Sequence, residues 1–410
     1  MEVEIPPSPP TPHEAGQGPK RNPRRWRMVL WLRINSVRIA YALSRLLPQR
    51  RRVVLANSHS PSISGNLAFI RDELDRRDPP IPYTVLAYLQ PKARNNRLKV
   101  AIQGMKAGYH LATSRVFIVD DYFFPLYVIK PREGSTTVQT WHASGAFKKI
   151  GWSVLDKTFG ADDELVDRVA IHSNYDVCLM ASKSSAVHYA DAFHQPLERF
   201  RTDLGIPRTD ILFGAERIAR ISAELRAKYR LPEGKRVILY APTFRGTSVH
   251  RATSPENLDL VQLHRELGAD HVLLLRLHPF VRESAPIPAG LEGFAIDVSD
   301  HPDINELMHV SDVLVTDYSS AIYEFALLGR PMAFYAPDHA EYDSERGFYF
   351  DFRTGVPGPI FETTRELAAW LRAGEFDLER VARFRDESFE IADGHATERF
   401  VDEIVLPALR

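Results

Sequence analysis

Between residues 236 and 337, four short runs rich in Val, Ile, Leu and aromatic residues alternate with stretches of helical pattern. The runs are RVILYAP (236–242), HVLLLRLHP (271–279), DVLVTD (312–317) and PMAFYAP (331–337), with helices expected near 256–267, 303–309 and 319–328. Unbroken apolar runs of this length suit strands covered on both faces, which a parallel sheet flanked by helices provides. The first half repeats the alternation with VVLAN (53–57), YTVLAYL (83–89), VFIVDD (116–121), TTVQTW (136–141) and VCLMAS (177–182), and helices at 65–77, 98–113 and 183–193. RTDLGIPRTDIL (201–212), with Gly205 and Pro207, reads as the connection between them. The expectation is an α/β chain of two Rossmann-like domains facing a central cleft, spanning 53–205 and 206–385, followed by a C-terminal helix over 386–410.

A chain of 410 residues with 44% hydrophobic content can bury more than one core. Its single cysteine, Cys178, allows no internal disulfide and no cysteine zinc cage, which points to a reducing compartment. A net charge of -1 argues against a generic nucleic-acid binder, so no nucleic-acid partner is expected. The common nucleotide fingerprints are missing. No G-x-G-x-x-G follows a strand, and Gly234-Lys235-Arg236 lacks the upstream glycine and the hydroxyl of a P-loop. Neither an H-E-x-x-H zinc motif nor a G-x-S-x-G elbow occurs.

The near-neutral charge hides an asymmetry. From Lys20 to Arg71 there are twelve Lys and Arg residues and no Asp or Glu. Residues 1–23 hold seven prolines and read as a disordered tail. Residues 24–52 (RRWRMVLWLRINSVRIAYALSRLLPQRRR) read as a basic, hydrophobic helix. Arg33, Arg38 and Arg45 interrupt its apolar stretch, so it is neither a signal peptide nor a spanning helix. Trp26, Trp31 and the arginines suit an anionic membrane surface; the alternative is a helix docked on the protein's own acidic face.

In a parallel sheet, ligands gather at the carboxyl ends of the strands. Three such ends in the second half deliver Thr243 and Arg245, then His278, then Asp317, Ser319 and Ser320 just before a helix. Free N–H groups at a helix start, with paired hydroxyls, make a phosphate seat without glycines, and Arg245 could grip a second phosphate oxygen. Asp317 and Ser319 could equally be simple helix caps, and His278 a structural histidine. In the first half, QTWHASGAFKK (139–149) closes a strand with His142, placing Lys148 and Lys149 beside it. Imidazoles titrate near neutrality, which suits His142 to take a proton from an alcohol. Asp120 and Asp121 end another strand, as site acids or as solvated caps. Asp162, Asp163 and Glu164 read as a solvated face, and no metal site is expected from the residues.

Four blocks, QTWHASGAFKKIGW (139–152), YAPTFR (240–245), LRLHP (275–279) and VSDVLVTDYSSAIYEFALLGRPMAFYAPDHAEYDSERGFYFDF (310–352), resemble the CDP-glycerol glycerophosphotransferases of teichoic-acid synthesis. The resemblance spans roughly residues 50–390. It implies a GT-B-type fold and transfer of a polyol phosphate, with glycerol phosphate foremost, from CDP-glycerol or CDP-ribitol to a hydroxyl of a lipid-linked acceptor, releasing CMP. It implies a peripheral enzyme on the cytoplasmic face of the plasma membrane. Carried over, His142 is the general base, with His278 the second catalytic histidine. Thr243, Arg245, His278, Asp317, Ser319, Ser320, Asp338, Glu341 and Arg346 would line the donor, and Ser144, Lys148 and Lys149 the acceptor side. A divalent cation is compatible with the chemistry but no residue set demands one. The first box departs from the family's usual WHG-T-P by reading Ala143, Ser144 and Gly145 after the histidine, which bears on acceptor shape and polyol identity. Two rivals remain at this point: a GT-B glycosyltransferase using a nucleotide sugar, and a non-catalytic, membrane-associated polymer-binding protein.

Overall fold

The computed structural model describes residues 23–88, 97–154, 168–245, 258–278, 281 and 287–410, with side chains from 27 onward. The proline-rich tail 1–22 and the acidic cluster Asp162, Asp163 and Glu164 lie outside the described residues, as does Pro279 of the LRLHP block.

Two six-stranded parallel sheets form the two halves. The first contains β1 (Arg50–Asn57), β2 (Tyr83–Ala87), β3 (Ser114–Val119), β4 (Thr136–Gln139), β5 (Val177–Leu179) and β6 (Phe200–Arg201), in the order β2-β1-β3-β4-β5-β6. The second contains β7 (Arg236–Ala241), β8 (His271–Leu275), β9 (Ala295–Asp297), β10 (Val313–Thr316), β11 (Met332–Tyr335) and β12 (Ile360–Phe361), in the order β12-β11-β10-β7-β8-β9. Central strands carry the unbroken apolar runs: Val53, Val54, Leu55 and Ala56 are all fully buried, as are Val237, Ile238 and Leu239. Burial on both faces is what a sheet sandwiched by helices imposes. The strands missed from the sequence, β6, β9 and β12, are two or three residues long and sit at sheet edges, too short to show a pattern.

A shared core ties the halves together. Leu204, Ile206, Ile211 and Leu212 of the connection belong to the same apolar cluster as Val53 and Leu55 of β1 and Val237 and Leu239 of β7. The chain then recrosses. Helix Leu378–Ser388 packs on helix Ala321–Ala326, and the helical segment from Ala396 to Leu409 returns to the first sheet. Asp210 fixes that return, accepting from the backbone N–H groups of Ala396 (3.0 Å) and Thr397 (2.8 Å). Arg77 meets Asp402 at 2.6 Å and Arg201 meets Glu403 at 2.6 Å.

The basic helix α1 (Pro23–Ser44) is shorter than 24–52, because Arg50, Arg51 and Arg52 open β1. It docks on α3 (Arg97–Thr113), the helix after α2 (Gly65–Arg76); α3 carries no acidic residue, so no ion pair with α3 holds it there. Shape does. Gly104 and Gly108, one helical turn apart, let the two backbones close: a Cβ at Gly108 would lie 2.5 Å from the Val37 carbonyl oxygen and 2.9 Å from the Tyr41 nitrogen. Tyr41 also donates to the Lys130 carbonyl (2.7 Å), and Arg38 to that of Val128 (2.9 Å).

Candidate active site

The carboxyl ends of the two sheets meet through the loop after β4. Thr140 donates its N–H to the Val119 carbonyl (2.8 Å), and Trp141 then takes a left-handed φ of 53°. A bulky residue rarely adopts that conformation, so its surroundings must hold it. Gln139 accepts from the Trp141 N–H (2.9 Å), while buried Asn66 donates to the carbonyls of Thr140 (3.1 Å) and Trp141 (2.8 Å). The turn leaves the Trp141 ring in the core and His142 outside, stacked on it at 4.4 Å with its side chain half exposed.

Asp121, at the end of β3, lies between two imidazoles. One carboxylate oxygen is 3.9 Å from His142 Nδ1 and the other 3.5 Å from His59 Nδ1. Nδ1 is thus the His142 ring nitrogen on the carboxylate side. Burial lowers the His59 pKa, against the attraction of Asp121. The neighbouring Asp120 is buried, and burial together with the Asp121 charge raises its pKa to about 8. Sequence reasoning missed His59, although the strand-end rule would have reached it had SHS (58–60) after β1 been read that way. It also missed Asn66 and Arg208, which carry no local motif.

Ser144 was expected on the acceptor side. It is fully buried and donates to Glu324 Oε1 of helix Ala321–Ala326 at 2.9 Å, across the boundary between the two sheets. A Cβ on Gly145 would fall 2.1 Å from the Tyr323 ring, so the loop and that helix are in direct contact. Lys148 bridges to Phe348 as an isolated antiparallel pair, and its Nζ donates to the Tyr342 hydroxyl at 3.2 Å. Lys149 donates its backbone N–H to the Gly347 carbonyl (3.1 Å). Phe147 packs at a tilt against the rings of Phe348, Phe350 and Phe352, at 5.3, 5.4 and 6.2 Å. Lys148 and Lys149 thus sit at the seam, on the donor side as much as the acceptor side.

Arg245, expected to grip a phosphate, is paired within the protein. Its Nε binds Asp338, its Nη2 reaches Asp338 Oδ1 (3.1 Å) and Asp317 Oδ2 (2.9 Å), and its Nη1 donates to the Thr243 carbonyl (2.8 Å). Burial opposes its charge, but Asp317 and Asp338 win and raise the guanidinium pKa. Asp317, buried, accepts from the N–H and hydroxyl of Thr243 at 2.8 and 2.9 Å. Tyr318 donates to Asp338 at 2.9 Å. Burial would raise the Asp338 pKa, yet Arg245 keeps it below the ordinary carboxylate value. Arg245, Asp317, Asp338 and Thr243 therefore form a closed ionic knot that braces the ends of β7 and β10. This knot occupies the nearest acid pair with a guanidinium, and among the described residues no group of three metal-ligating side chains gathers.

Ser319, Ser320, His278, Arg346 and Glu341 are the other residues expected on the donor side. Ser319 and Ser320 stand half-buried before helix Ala321–Ala326. His278 follows β8 beside Phe244, with ring centroids 4.8 Å apart. Burial, then Lys148, Arg276 and Arg346, push its pKa down to about 4. Arg346 lies over the rings of Phe244 (4.7 Å) and Tyr342 (5.2 Å). Glu341 is exposed in the first turn of helix His339–Arg346.

An imidazole at a strand end of one Rossmann-like domain, with hydroxyls and cations at strand ends of the other, is compatible with a GT-B-type transferase. Such an enzyme brings an acceptor hydroxyl from one side to an activated donor held on the other. Comparison with known proteins makes the assignment: the chain belongs to the CDP-glycerol:poly(glycerophosphate) glycerophosphotransferase family, whose model matches residues 39–406. It is 39% identical to the teichoic acid ribitol-phosphate primase of Bacillus spizizenii over 88% of this chain and 93% of that one. It is 35% identical to the poly(ribitol-phosphate) polymerase of the same organism, over 93% of this chain and 60% of the longer relative. In fold it is similar to the wall teichoic acid polymerase TagF, with a TM-score of 0.73, 24% identity, and coverage of 95% of this chain and 99% of that chain. The fold class and family expected from the four residue blocks hold. The protein is an enzyme of the CDP-polyol phosphotransferase class, acting in teichoic-acid-type polymer synthesis.

Proposed function

We propose that this chain transfers ribitol phosphate from CDP-ribitol to a hydroxyl of a lipid-linked acceptor. The sequence blocks alone put glycerol phosphate first; the 39% identity to a ribitol-phosphate primase, over nearly the whole of both chains, moves the preference to ribitol. The mechanism rests on the presentation of His142 by the left-handed Trp141, in a loop whose Ser144 bonds Glu324 of the helix that Ser319 and Ser320 precede. His142 Nε2 takes the proton of the acceptor hydroxyl as its oxygen attacks the phosphorus bearing the polyol. A new P–O bond forms, the P–O bond to CMP breaks, and CMP leaves with the bonding pair. Ser319 and Ser320 hold the diphosphate, with Lys148, Arg346 and the neutral His278 around it, where fixed donors stabilise charge developing on non-bridging oxygens.

The test is CMP release from CDP-ribitol and CDP-glycerol with a lipid-linked acceptor. Release from CDP-ribitol at least tenfold faster supports the proposal, and the length of the product separates priming from polymerisation. Faster release from CDP-glycerol sinks the ribitol assignment, and release from neither sinks the substrate reading. His142→Ala is expected to lose turnover by about 10²-fold or more.

The α1–α3 pair supplies the membrane contact in this reading. Trp31, Leu43, Leu46 and Leu98 are 63%, 64%, 85% and 71% exposed, with Arg27, Arg38, Arg45, Arg97 and Lys106 exposed around them. Apolar side chains ringed by cations and free of acids suit the cytoplasmic, anionic leaflet, at about 1 kcal/mol per basic residue. Among the described residues no helix is long and apolar enough to cross a membrane. Leu43→Glu with Leu46→Glu is expected to reduce binding to vesicles containing phosphatidylglycerol, while leaving CMP release on a soluble acceptor analogue unchanged. Undiminished vesicle binding would remove the assignment.

A further inference from the structure

The knot around Arg245 leaves a question about the transferred phosphoryl group. Its non-bridging oxygens gather charge between the acceptor base and the donor seat, and Arg245, the obvious cation, has all three nitrogens engaged by Asp317, Asp338 and Thr243. A different arginine occupies the position between the two sides. Arg208 comes from the connection between the domains. Its Nη1 donates to the carbonyl of His142 at 2.7 Å, and its Nε lies 3.6 Å from Glu324 Oε1, in the helix that Ser319 and Ser320 precede. The guanidinium therefore touches both the loop carrying the base and the helix carrying the donor hydroxyls.

Its mounting is rigid. The Arg208 backbone N–H donates to Asn66 Oδ1 at 2.9 Å, and the Nδ2 of the same buried Asn66 holds the carbonyls of Thr140 and Trp141. One amide side chain thus sets the spacing between the arginine and the histidine loop. Of the five N–H donors of a guanidinium, one is used on His142, and Nη2 meets no protein acceptor among the described residues. Glu324 does not take the cation over as Asp317 and Asp338 take Arg245, since at 3.6 Å it makes no hydrogen bond to Nε and already accepts from Ser144.

We propose that Arg208 is a catalytic residue, its Nη2 edge donating to a non-bridging oxygen of the phosphoryl group as it passes from CMP to the acceptor. No proton or electron is exchanged with it; the guanidinium stays charged and stabilises charge that is greatest in the transition state. The inference rests on the proposed role of His142 and adds a second residue to it.

The experiment compares wild type, Arg208→Met, Arg208→Lys and His142→Ala in CMP release from whichever CDP-polyol the wild type uses. It records kcat, the donor KM and the pH profile of kcat/KM, with thermal melting to show that each variant is folded. Arg208→Met is expected to lower kcat by about 10²-fold with donor KM within about threefold, because a donor aimed at a developing oxyanion acts on the transition state. Arg208→Lys is expected to recover part of that loss, and the acidic limb of the profile to stay in place. Unchanged kcat in Arg208→Met overturns the proposal. So does a loss that appears only with a displaced acidic limb and no recovery in lysine, which would make Arg208 merely a support for the His142 loop. If His142→Ala keeps its turnover, the failure belongs to the underlying mechanism and not to Arg208 alone.

Discussion

Ser144 Oγ donates to Glu324 Oε1 at 2.9 Å across the boundary between the two sheets, with both side chains buried. This bond accounts for the serine in a box whose usual family spelling differs. A buried hydrogen bond to a charged group contributes about 1.5–3 kcal/mol. Ser144→Ala is expected to lower unfolding stability by roughly that amount in urea titration, and to leave the ratio of rates on CDP-ribitol and CDP-glycerol unchanged. A changed polyol preference without a stability loss would return Ser144 to the substrate side.

Arg245→Met leaves Asp317 and Asp338 facing each other without their shared cation. Breaking a buried pair by removing one partner costs about 3–5 kcal/mol; Arg245 is 18% exposed, which places the expected loss toward the lower end. A melting temperature equal to wild type, combined with a raised donor KM, would show instead that Arg245 holds the donor. Double replacement, Arg245→Met with Asp338→Asn, is expected to recover stability relative to the single variant.

The sheets were legible because a buried parallel strand leaves an unbroken apolar run, and β1, β7, β8 and β10 each carry one. The positions of His142, Ser319 and Ser320 followed, since strand ends on one edge converge whatever the details. What the sequence hides is pairing. Nothing local says that Arg245 will be enclosed by a carboxylate 93 residues later, or that Asn66 will hold a loop 74 residues away. The same blindness concealed Arg208, which reads as part of a linker and meets two elements that only the fold brings to it.

Asp121 lies within 4 Å of the Nδ1 atoms of both His59 and His142. Its charge favours the tautomer that leaves Nε2 of His142 able to accept a proton. Asp121→Asn is expected to lower kcat about 10- to 100-fold without altering CDP affinity by calorimetry, and His59→Gln to have the smaller effect of the two. Equal turnover of Asp121→Asn and wild type across pH 6–9 would rule out an orienting role.

Asp120 gives a pH dependence with a definite sign. Its carboxyl is buried next to Asp121, and its pKa rises from 3.8 to about 8 in the folded chain. Between those values the native state keeps a proton that the unfolded chain has released, so this group's contribution is fully present below pH 3.8 and is lost as pH rises through 8. The slope approaches about 1.4 kcal/mol per pH unit for one such group. Asp120→Asn cannot ionise, so its stability advantage over wild type is expected to widen from pH 5 to pH 8 and level off above. Denaturant titrations of both proteins at pH 5, 6.5, 8 and 9 measure this directly; a constant gap would mean that Asp120 is ionised in the native state.

Gly108 tests how α1 is held. Its backbone approaches Val37 and Tyr41 closely enough that even a methyl group would meet main-chain atoms at 2.5 and 2.9 Å, which no side-chain rotation relieves. Overpacking of this kind costs about 1–3 kcal/mol, and here the strain falls on one helix pair rather than on either sheet. Gly108→Val is therefore expected to release α1 while the sheets stay folded. Trypsin should then cut at Arg33, Arg38 and Arg45 many times faster than in wild type, whereas CMP release on a soluble acceptor analogue persists. Vesicle binding separates two ways in which the arm could work. If it needs the joint apolar face of α1 and α3, binding falls with Gly108→Val; if α1 binds lipid alone, releasing it leaves binding unchanged or stronger. Wild-type proteolysis in Gly108→Val would show that the close approach at Gly108 is not what holds the arm.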